Sequence, residues 1–204
     1  MAETERPPST VAQLATKDAQ VVMDNKPPLW LLDVDGVINA VCGTVPPGYE
    51  RRRINGFQIT WPTEIVARMR QLHETGAVEI RWLTTWCDDA ASKIAPGLGL
   101  PLDCVVEGSA DHLDPENRYV WWKSVTAKRL SDAEPDRPLI WTDDDLDYAE
   151  IQGEVDWLRD RTGPTLAIAP DVRQGITPKL MAKIEAFLDR VGSQQLDESD
   201  EAAS

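Results

Sequence analysis

From residue 29 to residue 191 the chain alternates between two hydrophobic patterns. Short unbroken apolar runs read as strands buried on both faces, and apolar residues at three- and four-residue spacing read as helices. Leu29-Trp30-Leu31-Leu32 is the first such strand. Ile65, Val66, Met69 and Leu72 then recur at helical spacing between Pro62, suited to a first turn, and Gly76, suited to a stop. Further strands are predicted over 78–83, 104–106, 138–141 and 165–168. Further helices are predicted over 88–95, 123–130, 148–161 and 178–191. Strand and helix in strict alternation imply a parallel sheet with helices on both faces.

One segment departs from this rhythm. Between the first strand and the first helix, Tyr49 to Ile54 and Phe57 to Trp61 flank Asn55-Gly56. Asn-Gly between two strand-like runs signals a hairpin, so a flap over about 45–61 is expected. Residues 1–27 read as an N-terminal extension, with a short helix between Ser9 and Met23. Residues 28–191 form the main domain, and 192–204 read as a disordered acidic tail.

Composition narrows the function. The 204 residues carry a formal net charge of −14, and removing the acidic tail still leaves the body acidic. Such a surface does not attract polyanions overall, so a nucleic-acid substrate would need a local basic patch or a metal. The three cysteines show no CxxC spacing, which argues against a zinc site or disulfide framework and fits a reducing cytoplasm. No signal peptide and no membrane span are expected.

The candidate chemistry gathers at the predicted strand ends, where open α/β sheets bind ligands. Asp33 and Asp35 follow the first strand, Thr84 and Thr85 the second, and Asp143, Asp144, Asp145 and Asp147 the fourth. An aspartate after a strand is commonly a turn or cap residue. Clustered carboxylates, however, repel unless a cation neutralises them, and hard oxygen ligands of this number suit Mg2+.

Leu31-Leu32-Asp33-Val34-Asp35-Gly36-Val37 closely resembles the first motif of the haloacid dehalogenase (HAD) superfamily of phosphohydrolases. Trp82-Leu83-Thr84-Thr85 resembles the second motif, Lys123 the third, and Leu139 to Asp144 with Asp147 the fourth. Trp82 to Trp86, Gly99-Leu100-Pro101, Trp141 to Asp144, Ala169-Pro170-Asp171 and Gly175-Ile176-Thr177 resemble a subgroup that includes HAD domains of RNA-repair proteins. The resemblance implies a three-layer Rossmann-like, HAD-like α/β fold. It also implies an aspartyl-phosphate mechanism, with Asp33 as nucleophile and Asp35 as general acid and base. Magnesium would lie on Asp33, the Asp35 carbonyl and the fourth motif, where Asp144 is favoured for direct coordination and Asp143 as its close partner. Thr84 and Lys123 would hold phosphate oxygens. Strand register favours Thr84 over Thr85, and the start of its helix favours Lys123 over Lys128.

Two further features bear on the substrate. Eight tryptophans are many for this length. Core packing is their ordinary role, with Trp86 the best candidate for stacking on a base. Arg51 and Arg53, on one face of the flap, either contact phosphate or form a solvated hairpin. The stretch from Trp86 to Trp122 is too short for a large cap domain, so only the flap would shield the site. These readings converge on a capless cytoplasmic phosphatase acting on a nucleotide or polynucleotide phosphate end, with Thr85, Trp86, Arg51 and Arg53 toward the substrate. A non-catalytic scaffold on the same fold and a phosphotransferase acting on a small metabolite are the alternatives. The sequence leaves the oligomeric state open.

Overall fold

The computed structural model describes residues 26–100, 102–104 and 121–202, without the side chains of 103–104 and 195–202. The expected N-terminal helix and residues 105–106 of the predicted third strand lie outside this range. The described strands are β1 (Leu29–Leu32), β2 (Tyr49–Ile54), β3 (Phe57–Pro62), β4 (Glu79–Trp82), β5 (Asp103–Cys104), β6 (Leu139–Thr142) and β7 (Thr165–Ile168). The α-helices are α1 (Thr63–Glu74), α2 (Ala95–Leu98), α3 (Trp122–Ala133), α4 (Leu146–Ile151) and α5 (Pro178–Ala202).

Five strands form one sheet in the order β5-β4-β1-β6-β7, and every pairing in it is parallel. Side chains alternate across a strand, and β1 shows the consequence. Trp30 and Leu32 pack into a core with Ile65, Met69, Ile184 and Phe187, from α1 and α5. Leu29 and Leu31 pack into a second core with Trp122, Ala127, Leu146 and Ala149, from α3 and α4. The molecule is therefore three-layered, with β1 at its centre and buried throughout.

The predicted hairpin forms as β2 and β3, with Ile54 opposite Phe57 across the Asn55-Gly56 turn. Both turn residues have positive φ, 49° and 88°, as a two-residue hairpin of this kind requires.

Three elements differ from their predicted extents. The helix expected over 148–161 starts at Leu146 and ends at Ile151, before Gly153 at φ 73°, and resumes as a 3-10 turn, Asp156–Asp160. The helix expected over 88–95 becomes a π-helical turn, Ala90–Ile94, continued by α2. Finally, α5 continues past Gly192 to Ala202, where the polar tail was expected to be disordered. Residues 193–202 contain no proline and several good helix formers, and one glycine inside a helix costs only about 1 kcal/mol.

Candidate active site

The strand register delivers the first carboxylates. Leu32 lies level with Thr142 across the β1–β6 pair, and the Asp33 amide continues the ladder by donating to the Thr142 carbonyl, 3.1 Å. Asp33 and Asp143 are thus neighbours on adjacent strand ends. Both fall on the alternation of Leu29, Leu31, Leu139 and Trp141, which face the α3 layer. Lys123 lies in the first turn of α3 and meets them there. Its Nζ donates to Asp33 Oδ2 at 2.6 Å and to Asp143 Oδ2 at 2.7 Å, and all three side chains are buried.

The remaining oxygens of this pair are occupied by backbone donors. Asp33 Oδ1 accepts from the Val34 amide, 2.7 Å, and Asp143 Oδ1 accepts from the Asp145 amide, 3.1 Å. Asp144 completes a group of three carboxylates whose oxygens lie within 4.8 Å of one another. No other described side chain hydrogen-bonds its carboxylate. Gly36, at φ 71°, leaves the space that Asp144 fills: a Cβ there would lie 2.3 Å from Asp144 Cγ. The glycine of the Asp-x-Asp-Gly motif is therefore required by both its backbone angle and its neighbour.

The electrostatics follow from one cation facing three acids. Burial alone would push Lys123 down, but Asp33 and Asp143 outweigh it and hold its ammonium well above its ordinary value. Burial and the Asp33 charge push Asp143 up despite Lys123. Burial, then Asp33 and Asp145, push Asp144 up to about 6. The donor set is all hard oxygen, and negative charge exceeds positive charge. Both properties fit a divalent metal ion held by Asp33, Asp143 and Asp144.

Asp35 points elsewhere. Its Oδ1 accepts from Asn39 Nδ2 at 2.6 Å, and its Oδ2 accepts from the Trp86 indole N–H at 2.8 Å. Asn39 is itself anchored, since its Oδ1 accepts from the Thr60 amide at 2.8 Å. The flap strand β3 thus reaches Asp35 through one amide side chain. The sequence reading missed Asn39. No local sequence signal marks it, because its burial and its contact with Asp35 arise only when β3 folds back over the loop.

The other expected residues divide. Thr84 is buried just past β4, where its Oγ1 accepts from the Trp86 amide at 3.4 Å. Thr85 is exposed and lines a cleft with Asp35, Asn39 and Trp86. Arg51 is spent inside the flap region, donating to Thr60 Oγ1 at 2.7 Å and to the carbonyls of Cys42 and Gly43. Arg53 donates to the Gly56 carbonyl at 3.1 Å. The structure therefore gathers Asp33, Lys123, Asp143 and Asp144 at one point and sets Asp35, Thr85 and Trp86 beside the flap. The two arginine side chains bond within the flap and the loop before it.

Most of the tryptophans pack. Trp30 and Trp82 are fully buried, and Trp121 stacks on Trp141 at 5.2 Å. Trp86 and Trp157 are only partly buried, and of the two Trp86 lies beside Asp35.

Comparison with known families agrees with this geometry. Residues 29–180 match the model of the HAD domain in Swiss Army Knife RNA repair proteins. The chain belongs to this family. The match spans all five strands of the sheet and includes Asp33, Thr84, Lys123, Asp143 and Asp144. No curated protein matches the chain. A HAD domain with an aspartate cluster able to bind a metal has the general character of a phosphohydrolase. No helix among the described residues is long and apolar enough to cross a membrane.

Proposed function

We propose that the protein is a magnesium-dependent phosphomonoesterase that works through an aspartyl-phosphate. The observation that carries this reading is the Lys123 ammonium held between the carboxylates of Asp33 and Asp143, with Asp144 beside them. A structural ion pair needs one acid. Three acids around one lysine at the end of a central parallel strand are costly unless a further cation and an anionic substrate share the site.

Asp33 attacks phosphorus as the bond to the leaving oxygen breaks, and Asp35 gives that oxygen its proton. Asp35 then takes a proton from the water whose oxygen attacks the phosphoryl group, releasing phosphate and restoring Asp33. Lys123 and Thr84 supply donors to the non-bridging oxygens, where charge spreads in the transition state. Magnesium, on Asp33, Asp144 and the Asp35 carbonyl with Asp143 close by, would screen the nucleophile from the charge of the phosphate. The family's association with RNA repair supports a nucleotide or polynucleotide phosphate end as substrate.

The test is phosphate release from p-nitrophenyl phosphate with and without Mg2+. Wild type is expected to turn over only with the metal, and Asp33→Asn to lose at least about 1,000-fold in kcat, since removing a nucleophile removes the covalent route. Equal activity in wild type and Asp33→Asn would refute the mechanism. Absence of metal-dependent hydrolysis across a broad phosphate panel would instead favour the scaffold reading.

A further inference from the structure

Beyond Asp35 a cleft of about 690 Å³ opens between the flap and the segment after β4. Its position relative to the chemistry is set by Asp35, which forms part of its wall. In an in-line displacement the leaving group departs opposite the nucleophile, and the general acid must reach its oxygen. The alcohol part of the substrate therefore lies on the Asp35 side, in this cleft.

The lining is chemically selective. Phe57, at the start of β3, is 60% exposed although it is a large apolar side chain. Its ring meets Trp86 edge to face at 5.1 Å and 77°, so the two rings join into one continuous aromatic wall of the cleft. The Gln58 side chain lines the cleft and has no hydrogen-bond partner among the described residues. Asn55 and Asp89, also on the lining, are joined by the Asn55 Nδ2 donating to Asp89 Oδ2 at 2.8 Å. The charged groups on the wall, Asp35 and Asp89, are acids, and no lysine or arginine is among the residues that line it. A second phosphate placed here would face like charge with no counter-ion. A flat neutral group would find ring faces to stack on and an amide that both donates and accepts.

From this lining we infer that the cleft is the leaving-group subsite and that it takes a nucleoside, so the substrate is a nucleoside monophosphate or a terminal nucleotide rather than a polyphosphate. The inference rests on the phosphatase reading for its placement of the leaving group. It adds a selection, by charge and shape, that the catalytic residues do not provide. It also gives Trp86 two roles, with its N–H on Asp35 and its ring toward the base.

The test compares kcat/KM of the full chain with Mg2+ for adenosine 3′-monophosphate, adenosine 5′-monophosphate, adenosine 5′-diphosphate and glycerol 2-phosphate. The better adenosine monophosphate should exceed glycerol 2-phosphate by about tenfold or more, as base stacking on an aromatic wall implies. The diphosphate should be turned over far more slowly than that monophosphate. Phe57→Ala should shrink the ratio of adenosine monophosphate to glycerol 2-phosphate several-fold. General damage to the enzyme would lower both and leave the ratio alone. A ratio near one, a ratio unchanged by Phe57→Ala, or a diphosphate used as well as the monophosphate would overturn the inference while leaving the phosphatase reading standing. Titration calorimetry with adenosine, which carries no phosphate, tests the cleft without turnover. Wild type should bind it and Phe57→Ala should bind it several-fold more weakly; no binding, or equal binding, would overturn the inference even if no substrate is hydrolysed.

Discussion

At the scale of single residues, the site depends on groups that carry no reacting atom. Asn39 is the clearest. Its amide N–H holds Asp35, while its carbonyl takes the otherwise buried amide of Thr60. Asn39→Ala is expected to lower kcat by about 10- to 100-fold, the cost of misplacing a catalytic group by a fraction of an ångström to an ångström. The loss should be larger for an alkyl phosphate than for p-nitrophenyl phosphate, whose leaving group needs little help from an acid. Steady-state kinetics with both substrates would show it, and an equal loss on both would mean that Asn39 does not act through Asp35. Leaving the Thr60 amide unsatisfied should also cost about 1–3 kcal/mol of stability in urea unfolding. Gly36 makes the complementary case. Gly36→Ala puts a Cβ into the Asp144 carboxylate at a backbone angle of 71°. Calorimetric titration should therefore find Mg2+ bound at least several-fold more weakly, and unchanged affinity would remove Asp144 from the metal site.

At the scale of elements, the parallel sheet, the flap and the helix that presents Lys123 were legible because each rests on a local rule. Continuous apolar runs gave the strands, Asn55-Gly56 gave the hairpin, and helical periodicity gave α1. The long reach of Lys123 to two strands was legible only through the family resemblance, because no local pattern pairs residues ninety positions apart. Asn39, Phe57 and Gln58 were missed for a related reason. Their roles come from the flap folding back over Asp35, and nothing in their own sequence neighbourhood announces it. The arginines illustrate the same limit. A cation in an acidic protein suggested a phosphate contact, yet Arg51 meets Thr60 and the carbonyls of Cys42 and Gly43. Thr60 in turn holds Asn39 through its amide, so Arg51 braces the flap at the point from which Asp35 is steadied. Arg51→Ala is accordingly expected to speed hydrogen exchange in residues 45–61 and to lower kcat more than it raises KM. A rise in KM alone, with exchange unchanged, would restore the phosphate-contact role.

At the scale of the whole molecule, the central sheet holds three acids in a partly buried site against one lysine, and this links stability to pH and to metal. The Asp144 carboxyl is pushed up from its ordinary value to about 6 by burial and by Asp33 and Asp145. Its folded pKa therefore lies above its unfolded one, and the native state binds its proton more tightly. The stability this contributes is fully present below the unfolded value and is lost as pH rises through about 6. Asp143, raised by burial and by Asp33, works in the same direction. Without metal, the melting temperature should thus lose this contribution between about pH 4 and pH 7. On the proposed reading magnesium would reverse the penalty, because a cation held by the ionised carboxylates displaces their protons. Thermal unfolding with and without Mg2+ should show a metal-induced rise in Tm that is large at pH 7.5 and small at pH 5. The pH dependence should be flattened in Asp144→Asn, which has no proton to exchange. A metal-induced shift of equal size at both pH values would mean that the ion binds away from these carboxylates, and that Lys123 alone balances the strand-end charge.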